Sequence, residues 1–124
     1  MIKLIQRSTY SFGQTLTFPT VNHTPRPYAG KPYDEIMSDR TKYMPNFYFH
    51  YYKKPLLITE GHLQYLYDHE GNRYIDLIAG ISTVALGHSH PAITKVVNEQ
   101  VGLLTHTSPI YLGEWQAEYS KRLC

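Results

Sequence analysis

His88 and His90, with Gly87 in front and Pro91 directly behind, are the residues of this 124-residue chain whose types and spacing most invite chemistry. An H-x-H pair can ligate a transition metal, but a tetrahedral site needs further ligands, and His62, His69 and His106 stand at no ligand-motif spacing from it. We therefore expect no metal. Read as structure, Gly87 permits close backbone approach, and His90 caps a helix that Pro91 opens, because proline loses nothing at a first helical position. The free amides of such a helix start can receive an anion. Ser82, Thr83 and Asp76 lie near His88 in sequence, yet a Ser-His-Asp site is defined by geometry, which proximity in sequence does not supply. No phosphate loop, dinucleotide fingerprint, nucleophile elbow or H-E-x-x-H motif occurs.

The elements that must position these residues can be read from periodicity. Ile93, Val96, Val97, Gln100, Val101 and Leu104 recur on one helical face and predict a helix from Pro91, with Gly102 near its end costing about 1 kcal/mol relative to alanine. A second helix is expected from about residues 111–113, using Leu112, Trp115, Tyr119 and Leu123, with Glu118 and Arg122 spaced for a surface pair. Upstream, apolar and aromatic runs predict a meander of strands over residues 56–59, 64–68 and 73–77. Asp68, His69, Glu70, Gly71 and Asn72 supply the turn between the last two, with Gly71 able to take positive φ. The fold class is α/β, a small meander sheet plus helices.

Composition divides the chain in two. Residues 1–33 carry Lys3, Arg7, Arg26 and Lys31 without any acid, and all ten acidic residues stand at or after Asp34. An acid-free, Ser/Thr-rich start with scattered apolar residues has the composition of a mitochondrial transit peptide. Pro19, Pro25, Pro27 and Pro32 then predict an extended linker. No apolar run approaches the 18 or so residues of a membrane span. The single Cys124 excludes an internal disulfide, and a net charge of +2 is too small to imply nucleic acid. Phe47, Tyr48, Phe49, Tyr51 and Tyr52 form an aromatic run with only Lys53 and Lys54 as basic neighbours, which suits packing against a large surface better than base stacking.

Taken in order, Tyr67-Asp68, Glu70-Gly71-Asn72-Arg73-Tyr74-Ile75-Asp76, Gly80-Ile81, Gly87-His88-Ser89-His90-Pro91 and Thr107-Ser108 resemble the N-terminal region of the class III pyridoxal-phosphate-dependent aminotransferases. The lead-in Lys54-Pro55-Leu56-Leu57 and Gly61-His62 are similar to the mitochondrial alanine–glyoxylate branch of that family. The resemblance covers residues 44–123, so residues 34–124 are expected to be a truncated N-terminal segment of such an enzyme.

That resemblance implies a fold-type I architecture whose large-domain core is missing here, and a homo-oligomer with active sites between subunits. It implies that Ile81 and Tyr111 line the substrate pocket, with Ser82, Thr83 and Val84 as pocket neighbours and Gly87, His88, His90 and Pro91 as structural turn and helix cap. In relatives the lysine that binds pyridoxal phosphate, the phosphate cradle and the aspartate at the pyridine nitrogen all lie beyond the equivalent of Cys124. The chain alone is therefore expected to be inactive, its parent moving an amino group from an amino acid such as alanine to a 2-oxo acid such as glyoxylate. The rival expectation is a non-catalytic short form that binds full-length subunits.

Overall fold

The computed structural model describes residues 2–3 and 21–124, and most of the stretch read as a transit peptide lies outside the described residues. The chain forms two compact units, residues 1–90 and 91–124. In the first unit, β1 (Ile2–Lys3), β2 (Ile58–His62), β3 (Tyr65–Asp68) and β4 (Arg73–Ile75) make one antiparallel sheet in the order β1-β4-β3-β2. The predicted meander is present with shifted bounds. The β2–β3 turn falls at Leu63 and Gln64, because β2 continues through Gly61 and His62, which pair with Leu66 and Tyr65.

Residues directly opposite each other in an antiparallel ladder share a face, and neighbours along a strand alternate. Register thus puts Glu60, His62, Tyr65, Tyr67, Arg73 and Ile75 on one face, and Gly61, Leu66 and Tyr74 on the other. The buried residues of the unit are Tyr65, Tyr67, Tyr74 and Asp68. A buried carboxylate is tolerated only when hydrogen-bonded, and Asp68 is well supplied. Its Oδ1 accepts from the amides of Glu70 (3.0 Å) and Asn72 (2.9 Å), and its Oδ2 accepts from the Tyr74 hydroxyl at 2.7 Å. The Asn72 side-chain amide donates to both oxygens. Gly71, at φ +82°, completes the loop as its composition predicts.

Segment 76–90 is tied to the β2–β3 turn by a bridge between Leu63 and His88, with amide-to-carbonyl distances of 2.7 and 2.8 Å. Gly87 makes that approach possible. Its φ is +102°, and a Cβ there would lie 2.8 Å from the Leu63 Cα.

Helix α1 (Tyr33–Tyr43) is absent from the sequence reading, since it buries nothing and so has no apolar period to detect. Its signature is electrostatic: Asp34 and Glu35 stand in the first turn, Arg40 and Lys42 in the last. Lys31 reaches Glu35 at 2.7 Å and Asp39 at 2.8 Å. The aromatic run does not bury itself among the described residues. Phe47 packs on Tyr48 and Phe49 on Tyr51, and all five rings remain exposed.

The second unit contains α2 (Pro91–Leu103) and α3 (Glu114–Leu123), close to the predicted positions. Gly113 is the N-cap residue of α3. Neither helix buries a residue, so the apolar faces read from periodicity are uncovered. A groove of about 880 Å³ lies along them, lined by Val96, Leu104, Pro109, Leu112 and Trp115 among others. Glu118 and Arg122 do not close a salt bridge, whereas Lys95 and Glu99 stand 4.0 Å apart.

Two outcomes are expected from denaturant unfolding. Asp68→Ala strands the Tyr74 hydroxyl and two amides and should cost about 1–3 kcal/mol. Burial pushes the Asp68 carboxyl up, but donation from Tyr74, Asn72 and the Glu70 amide outweighs it and holds the group below its usual range. A depressed folded-state value means that its stabilisation is complete above the ordinary carboxylate range, about pH 4, and disappears as pH falls through the lower folded value. The wild-type advantage over the variant should therefore shrink in acid; one that persists unchanged there would contradict this account. Gly87→Ala should cost more than about 1 kcal/mol, because alanine must adopt positive φ against the Leu63 backbone. An unshifted midpoint would show that the bridge does not need glycine.

Candidate functional site

The residues singled out around the G-H-x-H-P turn border a hollow of about 300 Å³ lined by Leu63, Gln64, Asp76, Val84, His88 and His90, among others. Asp76 lies two residues beyond Tyr74, at the end of β4, and its carboxylate is fully engaged. Oδ1 accepts from the amides of Ile78 (3.0 Å) and Ala79 (2.9 Å), and Oδ2 lies 2.7 Å from His88 Nε2. Burial pushes the Asp76 carboxyl up; His88 and the two amides more than compensate and hold it below its usual range. An ionised carboxylate only accepts, so His88 presents Nε2–H to it. Gly61 makes room for this imidazole, since a Cβ on Gly61 would lie 2.7 Å from the His88 Cβ.

The pair therefore orients a histidine against a sheet, and it does not activate a nucleophile. Ser82 and Thr83 make no hydrogen bond to His88 among the described residues; the Thr83 hydroxyl donates to the Gly80 carbonyl at 2.7 Å. Nor do the two histidines converge on a common ligand. His88 spends Nε2 on Asp76, and His90 leaves Nδ1 buried without a partner. Among the described residues no group of three or more His, Cys, Asp or Glu side chains is placed to hold a metal ion.

Between Asp76 and His88 the chain makes an unusual turn. Ala79, Gly80, Ile81 and Ser82 take φ of +49°, +58°, +55° and +66°, a short left-handed turn. It is closed by amides of Ile81, Ser82 and Val84 donating to the carbonyls of Ile78, Ile78 and Ala79. Left-handed backbone costs an L-residue about 1–2 kcal/mol, and a β-branched side chain is among the least tolerant of it. Ile81 sits in this turn with its side chain 89% exposed. Strain of this kind concentrates where a side chain must be presented. Tyr111 belongs to the second unit, in the connection between α2 and α3, where its amide donates to the Ser108 carbonyl; it too is exposed. Sequence reasoning has Gly61 only as part of a family resemblance and does not single out Leu63, because their structural roles arise only when segment 76–90 folds back on the hairpin.

The hollow has no lysine in its lining, and none of its walls is a glycine- and serine-rich loop able to cradle a phosphate.

The sequence profile described as "Aminotransferase class-III" matches residues 48–123. The chain is 40% identical over 105 residues to "Alanine--glyoxylate aminotransferase 2 homolog 2, mitochondrial" of Arabidopsis thaliana, covering 85% of this chain and 22% of that protein. It is 34% identical over 105 residues to "Alanine--glyoxylate aminotransferase 2, mitochondrial" of Homo sapiens, covering 85% of this chain and 20% of that one. It therefore spans about a fifth of the length of these relatives. Among solved structures, an acetylornithine aminotransferase from Elizabethkingia anophelis superposes with a TM-score of 0.65 at 26% identity, over 76% of this chain and 23% of that one. An ornithine delta-aminotransferase from Plasmodium falciparum gives 0.64 at 26% identity, over 75% and 24%. The hairpin, the G-H-x-H-P turn and the helix it leads into are thus a portion of the fold-type I architecture, and the chain belongs to the class III aminotransferases.

Proposed function

We propose that the chain is part of an enzyme that transfers an amino group from an amino acid such as alanine to a 2-oxo acid such as glyoxylate through pyridoxal phosphate, and that it contributes a wall of the substrate pocket. The observation that carries this reading is Ile81, a β-branched residue presented on a strained left-handed turn within the segment that matches the family. An exposed aliphatic side chain held at that cost is suited to contact a ligand or a covering surface. Tyr111 is the second pocket residue, with Ser82, Thr83 and Val84 flanking Ile81. Gly87, His88, His90 and Pro91 set the turn and open the helix. The names of the Arabidopsis and human relatives favour alanine and glyoxylate as substrates and the mitochondrion as the location. The working form is a homo-oligomer.

The chain's own chemistry is positional. Asp76 fixes the His88 ring, the ring and the Leu63 bridge fix the base of the turn, and the turn presents Ile81. The lining of the hollow holds no lysine, which supports the reading that the 124 residues alone are inactive. A second reading, a short form that associates with full-length subunits without catalysing, is favoured by the uncovered apolar faces of α2 and α3.

The purified chain, incubated with pyridoxal phosphate and gel-filtered, should retain no cofactor absorbance and transfer no amino group from alanine to glyoxylate; turnover by the chain would overturn the inactive reading. The short-form reading expects co-purification with a full-length class III subunit. In an enzyme containing this segment, Ile81→Gly should relieve left-handed strain and raise stability by about 1 kcal/mol. The same change should raise KM for the amino donor, and an unchanged KM would remove Ile81 from the pocket.

A further inference from the structure

The face of the sheet opposite His88 carries a cluster that the pocket does not use. Segment 21–32 crosses this face without joining the sheet as a strand; it is attached to β2 through Glu60 and His62, and to the β3–β4 loop through Tyr28, whose ring meets His69 edge-on. His23 Nε2 lies 2.7 Å from Glu60 Oε1, while the Arg26 amide donates to Glu60 Oε2 at 2.9 Å and Arg26 Nε approaches the same oxygen at 3.5 Å. Two residues along β2, the His62 ring lies flat against His23, with centroids 4.2 Å apart and planes within 2°. The Tyr67 ring closes the side at 5.4 Å, with its hydroxyl buried.

We infer that His23, His62 and Glu60 form a proton-operated clasp that holds segment 21–32 on the sheet while at most one of the two stacked imidazoles is charged and releases it when both are. The charge balance carries the argument. One imidazolium is well placed, because it faces the Glu60 carboxylate and lies on a neutral ring. A second would sit one ring-stack away from the first, where like charges repel strongly in a partly buried site. The charged groups around the pair are Arg26 on the segment, Glu60 on β2 and Arg73, which acts on Tyr67 from β4. A single carboxylate therefore has to answer two arginines and every imidazolium. The Arg26 amide is the main influence holding the Glu60 carboxyl below its usual range, so one negative charge persists there. His62 is anchored by the β2–β3 ladder, and His23 is on a segment with no ladder of its own. Repulsion is relieved by moving His23, and Arg26 moves with it.

The test is amide exchange and NOE spectroscopy on the full chain at about pH 7.5 and about pH 5.5, either side of the usual imidazole range. After correction for intrinsic exchange, protection of the Arg26 amide should fall about tenfold or more in acid while β3 amides keep theirs, as expected for local opening. The ring-to-ring NOE between His23 and His62 should be lost over the same interval. In His62→Gln, which keeps a polar side chain but cannot charge, Arg26 should stay protected in acid. An equal loss of protection in His62→Gln would overturn the clasp. Should that variant fail to fold, a wild-type NOE that survives at the lower pH does so equally.

Discussion

Asp68 can lie only 6% exposed because its two oxygens receive the Tyr74 hydroxyl, the Asn72 side-chain amide and two loop amides. Those bonds close the β3–β4 loop and anchor the Tyr74 ring beneath it. The rest of the first unit follows from that hairpin. The register of β2 on β3 decides that Glu60 and His62 look one way and Gly61 the other. Segment 21–32 settles where the imidazole and carboxylate are, and segment 76–90 settles where the missing side chain of Gly61 leaves room for His88. A slip of one residue would exchange the two faces and abolish both attachments.

Legibility in the sequence follows the range over which each signal acts. The Gly71 turn, the Pro91 helix start and the apolar period of α2 are local, and they stand where expected. The expected strand ends at residue 59, but β2 runs on through Gly61 and His62, where Gly61 serves as a clearance for His88, 27 positions away. Helix α1 has charges in place of an apolar stripe, so periodicity could not find it. Of the site, the H-x-H motif was visible at once, but its meaning was not. Only the fold shows that His88 is committed to Asp76 and His90 is not.

The two units also differ in how their apolar surface is handled. In the first, tyrosines are buried at the sheet and their neighbours are polar and paired. In the second, the aliphatic faces of α2 and α3 stay open along a groove, and in the first unit the aromatic run and Ile81 are open too. Apolar area of this extent marks surfaces meant to be covered. The chain spans about a fifth of the length of the curated relatives it matches. The strained turn at residues 79–82 belongs with these open surfaces, since a backbone held in a costly conformation keeps Ile81 outward in the absence of any cover.

The sheet order has a consequence for the start of the chain. Ile2 and Lys3 pair with Ile75 and Tyr74, so the outermost strand beside β4 is only two residues long. Without those two residues β4 would lose that partner and expose free amides and carbonyls, the kind of edge on which a foreign strand can grow. Colloidal behaviour is thereby tied to two residues: a chain shortened there would be the more adhesive one, until another strand took the vacated place.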